Sequence, residues 1–483
     1  MAKRVFGWTL RGIAVLVVIT VPATGVWVGS SLAAYLNGPV WLVCLAGLLL
    51  FPVLPVLWAV WSKRRRGPDA APPVLTFWDQ ILLRTFVLNG LFVGGLLWMA
   101  PQTAFTAVSS RGDWMLEGVK SDAAVRARAW ILETADGLDW LYHSHKNEYA
   151  DLVDDDSDVR PDPVPRSTDV DPWADPFDQT DPSKPNDPQP VGEPGSWPQP
   201  ATLHPALASM PDDAKQSVSA AGAWIAAHED DPYERVKLIH DFVADHVAYD
   251  APALADGRRP PQDADTVLAS GLGVCAGYAN LTRALGAVTG DEIVNVVGDS
   301  RGQGGEISGG GHAWNAVRIE GEWYLMDTTW DSGHVDGRTF TKRYSTGYLF
   351  VPPGIMGVTH FPEDPVWQLR AEPLTRGAFV RQPMMRPEFF AAGFTLVSPN
   401  RSQVTVDDDV DITLSNPRGL FMLASYTAAE GGASRDCEVD NGPQPKIHCD
   451  FADEGTFHIR LFAAPERYGS YPMVGEIQVN ANG

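Results

Sequence analysis

Residues 311–330 read GHAWNAVRIEGEWYLMDTTW. His312 to Ile319 alternates apolar and polar positions, as a half-buried strand does. Glu320-Gly321 is a two-residue turn pair, and Trp323 to Trp330 forms a second run of strand residues. Together they predict an antiparallel β-hairpin. With the turn centred on Glu320 and Gly321, His312 falls opposite Thr329 and Asp327 opposite Trp314. Residues that pair, and residues two apart, share a face. His312 and Asp327 are therefore diagonal neighbours, about 7–8 Å apart at the backbone, a gap that two side chains close with a hydrogen bond.

Upstream lies GLGVCAGYANLTRALGAVTG, residues 271–290. A glycine-rich turn runs into a helix that shows Leu281, Leu285 and Val288 at helical spacing and stops at Gly290. Cys275 stands at the start of that helix. Free N–H groups and the helix dipole there favour a thiolate, and the same N–H groups are placed to hold a developing oxyanion. Cys275 as nucleophile, His312 as proton carrier and Asp327 as the residue orienting the imidazole make up a Cys-His-Asp site. Before it, Pro232 to Tyr249 places Val236, Ile239, Phe242, Val243 and Val247 on one helical face. Asp263 to Ala269 reads as a short helix. Trp314 and Trp330 suit either a groove wall or the core, and Tyr278 the core rather than an oxyanion donor. His334 and His360 show no tight ligand spacing with His312, so neither a metal nor a cofactor is expected.

At these residues the chain resembles the transglutaminase-like superfamily. GVCAGYANL, GHAWNAV and WYLMDTTWD look like its three motifs, and GYLFVPPGIMGVTHFPEDPVWQL (347–369) looks like the segment that follows in its kyphoscoliosis-peptidase branch. The resemblance covers roughly residues 230 to 483. It implies a papain-like α+β fold and thiol acyl chemistry on amide bonds. It carries Cys275, His312 and Asp327 into the roles of nucleophile, base and orienting residue. RGQGGEISGGG (301–311) departs from the family's shorter connection, and its glycines suggest a mobile lid.

The N-terminus is of another kind. Three apolar runs, Gly12 to Leu36, Val40 to Trp61 and Phe86 to Val108, each reach the roughly 20 residues needed to cross a bilayer. They predict three transmembrane helices within residues 1–108. Lys3, Arg4 and Arg11 precede the first, and Lys63 to Arg66 follow the second. Basic flanks stay in the cytoplasm, which puts residues from about 109 onward outside. A cleaved signal peptide ending near Ala33 and Ala34 leaves that orientation unchanged. Residues 109–150 read as amphipathic helices that lie on the membrane or cap the next domain. Residues 151–202 form an acidic, Pro-rich linker. Asp151 to Pro200 holds 12 prolines and 13 acids against three basic residues, which predicts an extended spacer. The catalytic domain is expected over 203–385.

After Pro383 and Pro387 seven short strand runs, from Phe394–Val397 to Glu476–Asn480, suggest an immunoglobulin-like β-sandwich over 386–483, as the family resemblance also does. Cys437 and Cys449 lie within it, and export would let them pair. The 483 residues carry 37 basic and 60 acidic side chains, a net charge of −23. That balance argues against nucleic acid as partner. The expectation is a membrane-embedded cysteine peptidase or amidase on the extracytoplasmic side. Its substrate would be a protein or peptide, and its sandwich would serve a cell-envelope or matrix partner. Transamidation and a non-catalytic binding scaffold are the alternatives.

Overall fold

A computed structural model describes residues 2–38, 40–65, 76–119, 121–140, 147–153, 159–162, 176–177, 194–301 and 310–482. The hairpin turns at Glu320 and Gly321, both at positive φ, as a tight two-residue hairpin turn requires. Its register is the one expected: Asn315 faces Met326 and Ile319 faces Glu322. The second strand is shorter than the sequence suggests. It ends at Met326, and Asp327 caps a five-residue helix, Thr328–Ser332. A short polar side chain that bonds nearby backbone N–H groups diverts the chain from a sheet ladder.

The hairpin sits inside a five-stranded antiparallel sheet ordered Leu349–Val351, Glu322–Met326, Gly310–Ile319, Glu292–Ser300 and His360–Pro362. Helix Cys275–Thr289 packs on it, closed by Gly290 at φ 86°. Leu281 and Leu285 join Val236, Leu238, Ile239 and Val243 of helix Pro232–His246 in one core with Val317 and Met326 of the sheet. Val288, expected on the same buried face, is 40% exposed. It lies at the rim in the last turn of the helix, directly over Gly222, where a Cβ would come within 2.5 Å of it.

The C-terminal region is all β. A six-stranded sheet is built on Phe421–Ala428, Gly455–Ala464 and Met473–Ala481, and a four-stranded sheet on Thr395–Ser398, Asp409–Ser415, Lys446–Asp450 and Glu438–Asp440. Ile412, Leu414 and Ile447 of one meet Met422, Ile459, Leu461 and Ile477 of the other in a shared core, the packing of a two-sheet sandwich. Cys437 and Cys449 are disulfide-bonded, 12 residues apart. Cys437 stands where the chain crosses from the larger sheet to the smaller, just before Glu438–Asp440.

Near the N-terminus, Trp41–Arg65 and Phe77–Met99 are long and apolar enough to cross a membrane, and a helix also spans Ala2–Tyr35. The third apolar run, expected over Phe86–Val108, is divided. Its helix starts at Phe77 behind a capping box of Thr76 and Asp79 and ends at Met99. Ala100 leaves the helical region (φ −150°, ψ 62°), and Pro101 opens a new helix ending at Arg111. Proline has no N–H and forces the residue before it out of the helix. Ala104 to Arg111 are buried, and Arg111 donates to Thr405 Oγ1 at 2.6 Å. Helix Asp122–Asp136 is tied down by a two-bond pair of Arg381 with Asp136 at 3.0 and 3.1 Å. This segment therefore caps the folded region. Most of the acidic, Pro-rich stretch lies outside the described residues. Within it, Phe177 packs on Phe390 with ring centroids 5.8 Å apart. Its last part is no free spacer: Trp197 is buried and donates to Gly347 O at 2.9 Å, which fastens this end of the stretch to the folded domain. The glycine-rich insertion, residues 302–309, also lies outside the described residues.

Candidate active site

Cys275, His312 and Asp327 come from three elements: a helix N-terminus, the middle strand of the sheet and a helix N-cap. Asp327 divides its oxygens. Oδ1 accepts the backbone N–H groups of Thr329 at 2.9 Å and Trp330 at 3.2 Å. Oδ2 takes Nε2 of His312 at 2.7 Å. The Cys275 thiol lies close enough to the ring to raise the imidazole along with Asp327. The three groups form one relay, and all three are buried.

Electrostatics separate their roles. Burial alone pushes the His312 imidazole down, but the Asp327 carboxylate and the Cys275 thiol outweigh it and hold the ring at about 10. Burial pushes Asp327 up, and the two imidazoles against it hold it well below the ordinary carboxylate range. At neutral pH the site holds an imidazolium against a carboxylate, with the Cys275 sulfur beside the ring.

The second imidazole is His360, which shows no spacing in the chain that would place it here. It follows Asp327 by 33 residues and sits on the outer strand of the sheet, its Nε2 3.0 Å from Asp327 Oδ2. Gly298 makes that approach feasible: a Cβ there would stand 2.2 Å from the carbonyl oxygen of Phe361. Burial dominates His360 and drives it down to about 4, against a smaller pull from Asp327. Nε2 of His312, Nε2 of His360 and an oxygen of Asp327 lie within 4.8 Å of one another. Each is engaged with another member of the set, so a cation here would have to break both imidazole–carboxylate bonds.

A ladder of asparagines ties the helix to the sheet. Asn315 donates to Ala279 O and Val294 O at 3.2 Å and to Asn295 Oδ1 at 3.0 Å. Asn295 donates to Asn280 at 3.0 Å, and Asn280 to Leu152 O at 2.8 Å. The Asn of the His312 motif is thus a strut between Cys275's helix and His312's strand. Tyr278 is core: its hydroxyl donates to Val247 O at 2.8 Å.

Residues 147–153 lie across Cys275. Tyr149 packs with Val274, Cys275, Ala276, Ala279 and Ala313, and its hydroxyl interacts with that of Tyr249. Asn147 donates to Gly298 O. Cys275 is left 1% exposed. Beside it opens a cleft of about 510 Å³. It is lined by His312, Trp330, Tyr149 and Tyr348, and also by Met384, Arg386, Glu388 and Met473. His334 lines the cleft away from Asp327, and Trp314 is core, so of the two tryptophans only Trp330 is a wall.

Residues 220–328 match the model of the transglutaminase-like superfamily. The kyphoscoliosis peptidase of Mus musculus is 35% identical over 215 residues, 43% of this chain and 32% of that protein. Its Homo sapiens counterpart is 33% identical over the same extent. A Caenorhabditis elegans Lim and transglutaminase domain protein, ltd-1, is 28% identical over 132 residues, 24% of this chain and 18% of that one. The chain therefore spans about a third of the length of the kyphoscoliosis peptidases it matches.

Proposed function

Because residues 220–328 form a transglutaminase-like domain, we propose that the chain is a membrane-anchored thiol acyl-transfer enzyme, a cysteine peptidase or amidase. Its substrate is a protein or peptide outside the membrane. The observation that carries this is the Asp327–His312 hydrogen bond beside Cys275, which stands at a helix N-terminus. The Cys275 sulfur, its proton on His312, attacks the amide carbonyl carbon and forms a C–S bond. The first N–H groups of the helix, which have no partner within it, face the developing oxyanion. His312 gives its proton to the leaving nitrogen as the C–N bond breaks. Water then attacks the thioester, His312 takes its proton, the C–S bond breaks and the thiol returns. A primary amine in place of water turns the same intermediate to transamidation, and incorporation of a labelled amine reads that outcome.

Lys63, Arg64 and Arg65 end the helix that closes the Trp41–Arg65 span and argue for a cytoplasmic turn there. The Cys437–Cys449 disulfide argues for an oxidising compartment around the sandwich. Both favour catalysis on the extracytoplasmic side.

The test is alkylation of Cys275 by iodoacetamide in the full chain in detergent, read as the ratio of rates at about pH 5.5 and pH 8.5. A free thiol ionises near 8.5, so the denatured chain slows by about 10³ between those values. The imidazolium-paired thiol should slow by less than tenfold, and His312→Ala should restore the denatured ratio. A native ratio equal to the denatured one would sink the proposal. The burial of Cys275 beneath Tyr149 favours one other reading, a binding scaffold that keeps the triad without turnover. The same ratio disfavours it when the thiol is ionised at low pH.

A further inference from the structure

Asp327 Oδ2 carries two imidazoles, and the acyl-transfer steps use only one. His360 is 1% exposed and reaches the same carboxylate oxygen as His312, with the two rings 5.4 Å apart. An ionised carboxylate only accepts, so the 3.0 Å contact makes His360 Nε2 a donor. Nδ1 is then an acceptor, and it receives the Thr359 hydroxyl at 2.9 Å. Thr359 Oγ1 in turn accepts from the Tyr348 hydroxyl at 3.2 Å. The tautomer is fixed from behind by a chain of neutral donors. The titratable groups facing His360 are Asp327, His312 and Tyr348. Trp314 at 5.0 Å and Trp330 at 4.6 Å, ring to ring, enclose the rest.

Counting acceptor capacity shows what the second imidazole does. Asp327 accepts four donors: two backbone N–H groups on Oδ1 and two imidazole N–H groups on Oδ2. That saturates a carboxylate. A buried anion stripped of one donor rotates toward another partner or takes up a proton, and either change loosens its hold on His312.

We infer that His360 is a positioning residue: its Nε2–H, donating to Asp327 Oδ2 beside His312, fixes the carboxylate ionised and in the rotamer that holds His312 toward Cys275. The inference rests on the Cys275–His312–Asp327 reading.

The test compares His360→Gln, His360→Asn and His360→Leu in the full chain by the pH dependence of Cys275 alkylation, with thermal unfolding measured beside it. A Gln amide reaches the place of Nε2 and donates to Asp327. An Asn amide is one carbon shorter and falls at Nδ1, too far to donate. His360→Gln should keep the wild-type profile within about threefold. His360→Asn and His360→Leu should move the acid limb up by about one pH unit, a roughly tenfold slower reaction at about pH 5.5, the scale set by loss of one hydrogen bond to a charged group. If His360→Leu does not fold, the Gln and Asn pair decides. Wild-type profiles in Asn and Leu variants that fold would overturn the inference and leave the triad reading standing. Equal losses in Gln and Asn would overturn it too, since packing alone would then explain both. A wild-type profile like that of the denatured chain would instead remove the reading beneath it.

Discussion

Replacing Tyr149 by Ala tests whether residues 147–153 restrict access to Cys275. Cys275 is 1% exposed and Tyr149 7% exposed, with the ring against Val274, Cys275 and Ala276. To react, the thiol must wait for this stretch to lift. Its other ties are modest: Asn147 on Gly298 O, Asn280 on Leu152 O at 2.8 Å, and an exposed Glu148–Arg259 pair, a surface contact of the kind worth about 0–1 kcal/mol. A buried aromatic ring contributes about 2 kcal/mol. Removing it raises the open population about 30-fold, at roughly 1.4 kcal/mol per tenfold. The assay is the iodoacetamide rate at Cys275 in the native full chain, divided by the rate in the denatured chain. Tyr149→Ala should react about 30-fold faster than wild type. Tyr149→Phe keeps the ring, loses only the hydroxyl's interaction with Tyr249 and should gain at most about fivefold, the worth of one neutral hydrogen bond. A Tyr149→Ala rate within twofold of wild type would refute the reasoning, because the thiol would then be shielded by something else.

Three further outcomes follow from particular contacts. His240 is fully buried between Asp241 at 2.9 Å and Asp331 at 3.1 Å; burial pushes it down, but the two carboxylates raise it to about 9. Its folded value exceeds the unfolded one of about 6.5, so its stabilisation is complete below pH 6.5 and is lost as pH rises through 9. Denaturant midpoints should fall between about pH 7 and pH 10, by at most about 3 kcal/mol from this group, and His240→Asn should flatten that fall. Gly298→Ala sets a Cβ 2.2 Å from Phe361 O; it should displace the His360 strand and slow Cys275 alkylation at about pH 5.5 by tenfold or more, while Gly94→Ala, where a Cβ meets nothing within 4 Å, should not. Cys437→Ser with Cys449→Ser opens a loop spanning 12 residues and should destabilise the sandwich by about 3 kcal/mol, seen as a lower melting transition.

Much of the site was legible because its members lie in periodic segments. His312 and Asp327 share a face for a reason any alternating hairpin supplies, and the register at Asn315 and Met326 is the one the turn pair demands. The helix after Cys275 shows its buried side through Leu281 and Leu285. The hairpin also misled at one point: Asp327 reads as a strand residue, yet its carboxylate bonds the N–H groups ahead of it and starts a helix. The division of the third apolar run at Pro101 was written in the Ala100-Pro101 step, but apolar length masked it.

The amino-acid order by itself determined the transglutaminase-like core, the candidate relay of Cys275, His312 and Asp327, the strand-rich C-terminus and the apolar N-terminal helices. The helices and strands show through their periods, which are local information, and the transglutaminase-like core shows through the resemblance of three short motifs around Cys275, His312 and Asp327. The tertiary structure alone decided that His360 completes the Asp327 carboxylate, that Asn315, Asn295 and Asn280 strut the helix against the sheet, and that Tyr149 covers the thiol. Each joins residues far apart in the chain with no shared period. Each exists because a buried polar or apolar group must find its partner in space once water has been excluded.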